Sequence, residues 1–370
     1  APEYLEFGHL QLPRRTMEIL REAKRPSIRR CYLAKWTRYL HWCKANKKMS
    51  QKMEVKTVLL YPTHLFDNGL TFSSLKLHLA AIVAYTRGVR GDSLFTIPVV
   101  KRFLEGIKNV APPRMLPPPM WNLNVVLTQL MNVPFEPIHK AELKWTTLKT
   151  AFLIAITSLR RVSELQALTI TEPYMQIHKD KVVLRTNPHF LPKVATSFHV
   201  NQAIYLPVFF QNPKDSAEKM LHTLDVRRAL IYYLSQTKEV RKGNQLFVSF
   251  TGATKGAPVT KATIARWIVQ TIELCYAKAG KELEEKPKAH STRKKGATVA
   301  FQANIPLSDI CLAATWSSKH TFAKHYCVDI QLNKEAQVGQ KVLKHLFASA
   351  TSQPVRPGVS QTATKSMHSM

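Results

Sequence analysis

Four short segments from residue 160 onward hold the residue types that phosphodiester chemistry needs: "RRVSEL" (160–165), "FLPKV" (190–194), "HSTR" (290–293) and "AATWSSKHTFAKHY" (313–326). Breaking a phosphodiester takes cations on the non-bridging oxygens, a nucleophile for phosphorus and an acid for the departing oxygen. Arginine suits the first task, because its planar fork matches two oxygens and never loses its charge. The segments supply arginines, a lysine, histidines and a tyrosine in that order along the chain. Each also has a plainer reading. Arg161 and Glu164 are one helical turn apart and can simply pair. Lys193 can be a solvated turn lysine, since Lys179 and Lys181 lie nearby. Tyr326 is one of eleven tyrosines, and most tyrosines pack with the hydroxyl at the surface. Trp316 can be a packing residue, and His320 and His325 can face solvent or nucleic acid.

The elements that must position these groups follow from periodicity. "AELKWTTLKTAFLIAITSLRRVSELQAL" reads as a long helix, a break near Ser158 and a second helix. Residues 174–210 change character, and "KVVLRT" and "QAIYLPVF" read as strands of a small antiparallel sheet with Lys193 in the turn between them. Helical patterns resume in "VRRALIYYLSQT", in "KATIARWIVQTIELCYAKAG" and in short helices from residue 290 to about 348. In the N-terminal part, "SIRRCYLAKWTRYLHWCK" sets Ile28, Tyr32, Trp36, Tyr39, Leu40 and Cys43 at helical spacing. Pro26 and Ser27 stand before it as breaker and candidate cap. An apolar run, "VKTVLLYPTHLF", follows it. "TFSSLKLHLAAIVAYTRG" turns Leu75, Leu79, Ile82 and Val83 one way, with Thr71 or Ser73 as cap, and "PVVKRFLEGIKNV" is a further short helix. "APPRMLPPPM" has five prolines in ten residues, which block a helix and stiffen extended chain, so residues 111–120 read as a linker. The expected organisation is a helical domain over 1–110, the linker, a catalytic domain over 121–348 and a disordered tail over 349–370. The fold class is mainly α with a small antiparallel β-sheet.

Composition limits the partners. Fifty-four Lys and Arg against twenty-four Asp and Glu give a net charge of +30 over 370 residues, spread through the apolar periodicity. Folded domains with basic faces are expected, and nucleic acid is the natural polyanion for them. Arg29, Arg30, Lys35, Lys76 and Lys261 are candidate contacts, chosen by charge on expected helices. Five scattered cysteines with no C-x-x-C pair argue against a disulfide framework or a zinc site. A reducing compartment is expected. No apolar run is long enough for a membrane span, and the first fifteen residues lack the pattern of a secretory signal. No Asp/Glu cluster is spaced for Mg²⁺, and no cofactor is expected.

"SLRRVSELQAL" resembles the first box of the tyrosine recombinase (integrase) family, and "HSTR" resembles its H-x-x-R box. The wording of "HSTRKKGATVAFQANIPLSDICLAATWSSKHTFAKHY" is similar to the recombinases of DIRS-like and Ngaro-like retroelements. The resemblance covers roughly residues 25–345, and the boxes carry it. It implies a catalytic set of Arg161, Lys193, His290, Arg293, Trp316 and Tyr326, with Glu164 in support. It further implies a 3′-phosphotyrosyl intermediate formed by Tyr326, two arginines on the phosphate, proton transfer by His290 and a leaving oxygen protonated by Lys193. Trp316 would add packing and an indole hydrogen bond. One departure stands: the interval from Trp316 to Tyr326 is one residue longer than is usual in the family, as it is in the retroelement group. The implied architecture is a two-domain clamp on duplex DNA, working as a tetramer that exchanges residues 331–348, with Val338, Val342, Leu343 and Leu346 as the docking stripe. Nuclear residence is expected from the substrate. Other readings stay open: a catalytically silent DNA-binding descendant, a type IB topoisomerase, or a basic RNA-binding protein.

Overall fold

The computed structural model describes residues 11–50, 54–86, 94–112, 121–209, 212–320 and 322. Most of the linker (113–120), residues 331–348 and the tail from 349 lie outside them. The chain divides into two compact units, Ala1–Leu116 and Pro117–Met370.

The first unit is helical: α1 (Arg14–Glu22), α2 (Pro26–Ala45), α3 (Val55–Asp67), α4 (Phe72–Tyr85) and α5 (Pro98–Val110). The α2 stripe buries Trp36, Tyr39 and Cys43 as its spacing predicts. Its start differs: the cap is Arg25 without a side-chain bond, and Pro26 opens the helix. Proline is well placed there, because its missing N–H would have had no partner in the first turn. Ser27 therefore lies inside the helix. At α4 the hydroxyl of Thr71 accepts from the Ser74 N–H, so the cap is Thr71. Leu75, Leu79 and Ile82 are buried, against Tyr61, Leu65, Val100 and Leu104 of the neighbouring helices.

A titratable pair lies inside this core. The Tyr61 hydroxyl and His78 Nδ1 are 2.9 Å apart and buried. Desolvation, reinforced by the positive charges of Lys35 and Arg38, lowers the His78 pKa from 6.5 to about 4. Above pH 6.5 the imidazole is neutral in both states and contributes nothing. Between pH 6.5 and about 4 the unfolded chain takes a proton that the folded chain refuses. Stability should fall through that window by about 3 kcal/mol. Chemical denaturation across that range is expected to show this slope for the native chain and to lose it for His78→Gln. Equal slopes in the two proteins would rule out His78 as the source.

The second unit centres on α7 (Leu143–Ser158), which follows α6 (Leu123–Leu130). Nearly every α7 side chain from Thr146 onward is buried, as expected of a helix apolar all round. It is flanked by α10 (Val226–Thr237), α11 (Lys261–Lys278) and α12 (Ser291–Gln302). α7 ends at Leu159, whose φ of 54° is left-handed. α8 (Val162–Gln166) starts just beyond, so the break falls where the sequence predicts it.

Strands β1 (Met175–Ile177), β2 (Lys181–Leu184) and β3 (Ile204–Pro207) form an antiparallel sheet in the order β1-β2-β3, with Val183 opposite Gln176 on one side and Tyr205 on the other. Ile204 and Leu206 face inward while Tyr205 points out, the period-two alternation of a half-buried strand. α9 (Ser216–His222) precedes α10, and α13 (Leu307–Ala313) follows α12.

One ion cluster is built into this unit. Buried Glu136 takes Lys149 Nζ at 2.5 Å and both Nη atoms of Arg228 at 2.8 and 3.0 Å. Its Oε2 also accepts the Ile138 N–H, and Lys149 donates to the Leu130 carbonyl.

Candidate active site

The site forms where the C-terminal end of α7, the loop between β2 and β3, and the start of α12 meet. Left-handed Leu159 turns the chain so that consecutive arginines part company. Arg160 turns inward, with 6% exposure, and Nη2 donates to the Ala203 carbonyl at 2.9 Å. Arg161 caps α8 and keeps its side chain 27% exposed. Glu164 accepts the Arg161 N–H at 2.7 Å, which satisfies one of the free donors at a helix start. Its carboxylate also lies 3.9 Å from the Arg161 guanidinium and 3.8 Å from that of Arg293. One buried carboxylate therefore orients the two guanidinium groups that the sequence singles out.

His290 and Arg293 stand at the start of α12, which is anchored from behind. The Trp121 indole, buried against Phe152, donates to the Ser291 hydroxyl at 2.8 Å, and that hydroxyl donates to the Lys288 carbonyl. His290 reaches solvent, yet its pKa is held below the ordinary value. Desolvation is the main cause, followed by the positive charges of Arg293, Arg161 and Lys193. Arg293 from the same turn and Arg161 and Lys193 from elsewhere in the chain thus act on one imidazole, and all three favour its neutral form. Lys193 is exposed in the loop joining β2 to β3. Its ammonium is near enough to act on His290 as a positive charge.

Arg293 is only 1% exposed. Its guanidinium donates to the Ala314 carbonyl and lies 5.0 Å from the centre of the Trp316 ring, an arrangement that favours a cation over an aromatic face. Trp316 is buried too, with Leu159, Ala297, Ile310, Cys311 and Phe322. In this structure it is the bed on which Arg293 rests. Between carbonyl and indole sits Thr315, with φ of 51°. A β-branched residue in left-handed backbone costs about 1–3 kcal/mol, and the surrounding contacts must hold it there. Its hydroxyl lies 2.7 Å from the Ala314 oxygen and 3.5 Å from Glu164 Oε1. This bend aims the Ala314 carbonyl at Arg293 and slides the Trp316 ring beneath it.

The structure thus gathers Arg161, Glu164, Lys193, His290, Arg293 and Trp316, with Tyr326 outside the described residues. Of the candidate DNA contacts, Arg30, Lys76 and Lys261 are exposed and Lys35 is half-buried. Arg29 Nη1 is engaged with the carbonyls of Arg21 and Lys24 and with Glu22. Sequence reasoning missed Thr315, Trp121 and Gly296. The first two gave no signal, whereas a glycine inside a helical pattern, in "RKKGATV", was a visible one.

No protein-family model matches the chain, and no curated protein matches its sequence. Solved structures do match. A post-cleavage complex of the XerH site-specific recombinase with a palindromic difH substrate superimposes with a TM-score of 0.52 at 16% identity, over 76% of this chain and 72% of that one. A pre-cleavage complex of XerH with difH gives 0.51 at 14% identity, over 81% and 77%. At this identity the likeness establishes the fold alone, which this chain shares with the XerH recombinase.

Proposed function

We propose that this chain is a site-specific DNA recombinase that cleaves and rejoins duplex DNA through a 3′-phosphotyrosyl intermediate. The observation that carries the reading is the convergence of Arg161, Arg293 and Lys193 on the His290 imidazole, within a fold shared with a recombinase complexed with DNA. The hydroxyl of Tyr326 attacks phosphorus, and the bond from phosphorus to the 5′-oxygen breaks. The tyrosine proton passes to neutral His290, and the leaving oxygen takes a proton from Lys193. The bond energy stays in the phosphotyrosine, so rejoining reverses the step without a nucleotide cofactor. Arg161 meets the non-bridging oxygens from the solvent side. Arg293 completes the clamp when a phosphate oxygen replaces the Ala314 carbonyl on its guanidinium, and Trp316 and Glu164 hold both cations in register.

Exposed Arg30 and Lys76 of the first unit and Lys261 of the second would each meet the DNA backbone. The wording of the boxes supports an origin in a DIRS-like mobile element, with nuclear DNA as substrate and a tetramer exchanging residues 331–348 as the working assembly. The inward guanidinium of Arg293 also suits a second reading, a catalytically silent DNA-binding protein of the same fold.

One experiment separates the two. The protein is incubated with a randomised library of nicked duplexes, and DNA that survives denaturant on the protein is recovered and sequenced. The native chain should retain a defined sequence class, Tyr326→Phe should retain none, and Arg161→Ala should retain about 10²–10³-fold less. Equal retention by Tyr326→Phe, or none by the native chain, overturns the catalytic reading.

A further inference from the structure

We infer that a second anion-binding site adjoins the first, with buried Arg160 as its anchor and a phosphate group as its occupant. Arg160 is 6% exposed, and its Nε meets no hydrogen-bond partner. Among the described residues no carboxylate comes within ion-pair distance of it. Glu164 acts on it from further away, and Arg161 opposes. Glu164 is thus one carboxylate among three guanidinium groups, those of Arg160, Arg161 and Arg293. A buried cation without a close counterion is costly, and a buried donor left unmatched calls for an explanation.

An explanation lies beside it. A cavity of about 540 Å³ opens between the end of α7, the approach to β3 and α13, lined by Arg160, Arg185, Asn201, Gln202, Tyr205 and Asp309. Arg185 spends Nη1 on the Asn201 carbonyl, and the rest of its fork is available at the rim. Two guanidinium groups against the single carboxylate of Asp309 favour an anion. The backbone and amide groups of Asn201 and Gln202 and the outward Tyr205 ring suit a phosphate carried on a sugar. The volume admits such a group. The choice of a DNA phosphate as natural source rests on the recombinase reading, whereas the site's affinity for the group does not.

The test uses the full chain, with Arg160→Met, Arg185→Met and an exposed control, Lys238→Met. Inorganic pyrophosphate is titrated by calorimetry at constant ionic strength, and duplex DNA binding is measured across a salt series. For the native chain and the control, pyrophosphate should bind. For Arg160→Met, pyrophosphate affinity should fall at least tenfold, and the slope of log K against log salt for DNA should shrink by about one. Loss in both arms supports a general phosphate site fed by DNA. Loss of the salt slope alone assigns the site to the polymer backbone, and loss of pyrophosphate alone assigns it to a free phosphate ligand. If both Met variants match the native chain in both arms, the proposal is overturned. Should Arg160→Met fail to fold, Arg185→Met at the rim decides by the same readings. Because neither arm reads cleavage, failure here and failure of the phosphotyrosine reading are distinguishable.

Discussion

Gly296→Ala should cripple DNA cleavage and lower the melting temperature, although alanine is the better helix former. A Cβ at Gly296 would stand 2.5 Å from the Ile156 carbonyl oxygen and 2.6 Å from Leu159 Cδ2. The first is backbone of α7 and cannot swing aside, so α12 must move away. On propensity alone the change would stabilise the helix by about 1 kcal/mol. Overpacking of this kind costs about 1–3 kcal/mol, which reverses the sign. The consequence for chemistry is larger, because α12 carries His290 and Arg293 while the end of α7 leads into Arg161. A shift of about 1 Å between reacting groups can cost about 10²-fold in rate. Thermal unfolding and the covalent-adduct assay read the two effects, with exposed Gln302→Ala on the same helix as control. Unchanged melting and full adduct formation would mean that this contact does not set the spacing of the site.

Glu136→Gln should be the most destabilising polar substitution in the second unit, at about 3–5 kcal/mol. Glu136 is the shared counterion of Lys149 and Arg228, and losing its charge strands two cations, one of them fully buried. Lys149→Met should cost less. Burial already pushes the Lys149 pKa down from 10.5 to about 8 despite the attraction of Glu136, so its charged form is held against the desolvation penalty. The sign with pH follows. Below pH 8 lysine is charged in both states and the penalty is present in full. Between pH 8 and 10.5 the folded chain has released the proton that the unfolded chain keeps, and this residue's contribution to stability rises. Glu136 has the same sign in an acidic window: its depressed pKa stabilises the fold above the ordinary carboxylate range, and that stability is lost as pH falls through the folded value. Denaturant midpoints for the single and double variants test the asymmetry. A Lys149→Met loss as large as that of Glu136→Gln would contradict it.

Much of this was legible along the chain. The stripe of α2, a cap at Thr71 or Ser73 of which the structure uses Thr71, the long α7 with its break, and β2 and β3 all follow from patterns that complete themselves within a few residues. Such patterns record which face of an element is apolar, and apolar faces go inside wherever the element ends up. The start of α2 was misread because a proline in the first turn competes with a serine beside it, and both are cues for the same boundary. The residue types of the site were equally plain in "RRVSEL" and "HSTR", together with their order.

What the sequence could not say is which arginine turns in. Arg160 and Arg161 are identical neighbours, yet one is buried and the other reaches solvent, because the left-handed Leu159 sets the turn and the Ala203 carbonyl waits on one side only. For Arg293 the box implied a phosphate contact and said nothing of burial. The residue is buried because the Ala314 carbonyl, the Trp316 ring and Glu164 surround it. The sequence by itself determined the elements and the chemical inventory, since both depend on residues close in the chain. The tertiary structure decided which charges share a carboxylate, which face solvent and how far apart they stand, since burial and electrostatics depend on neighbours that only folding brings together.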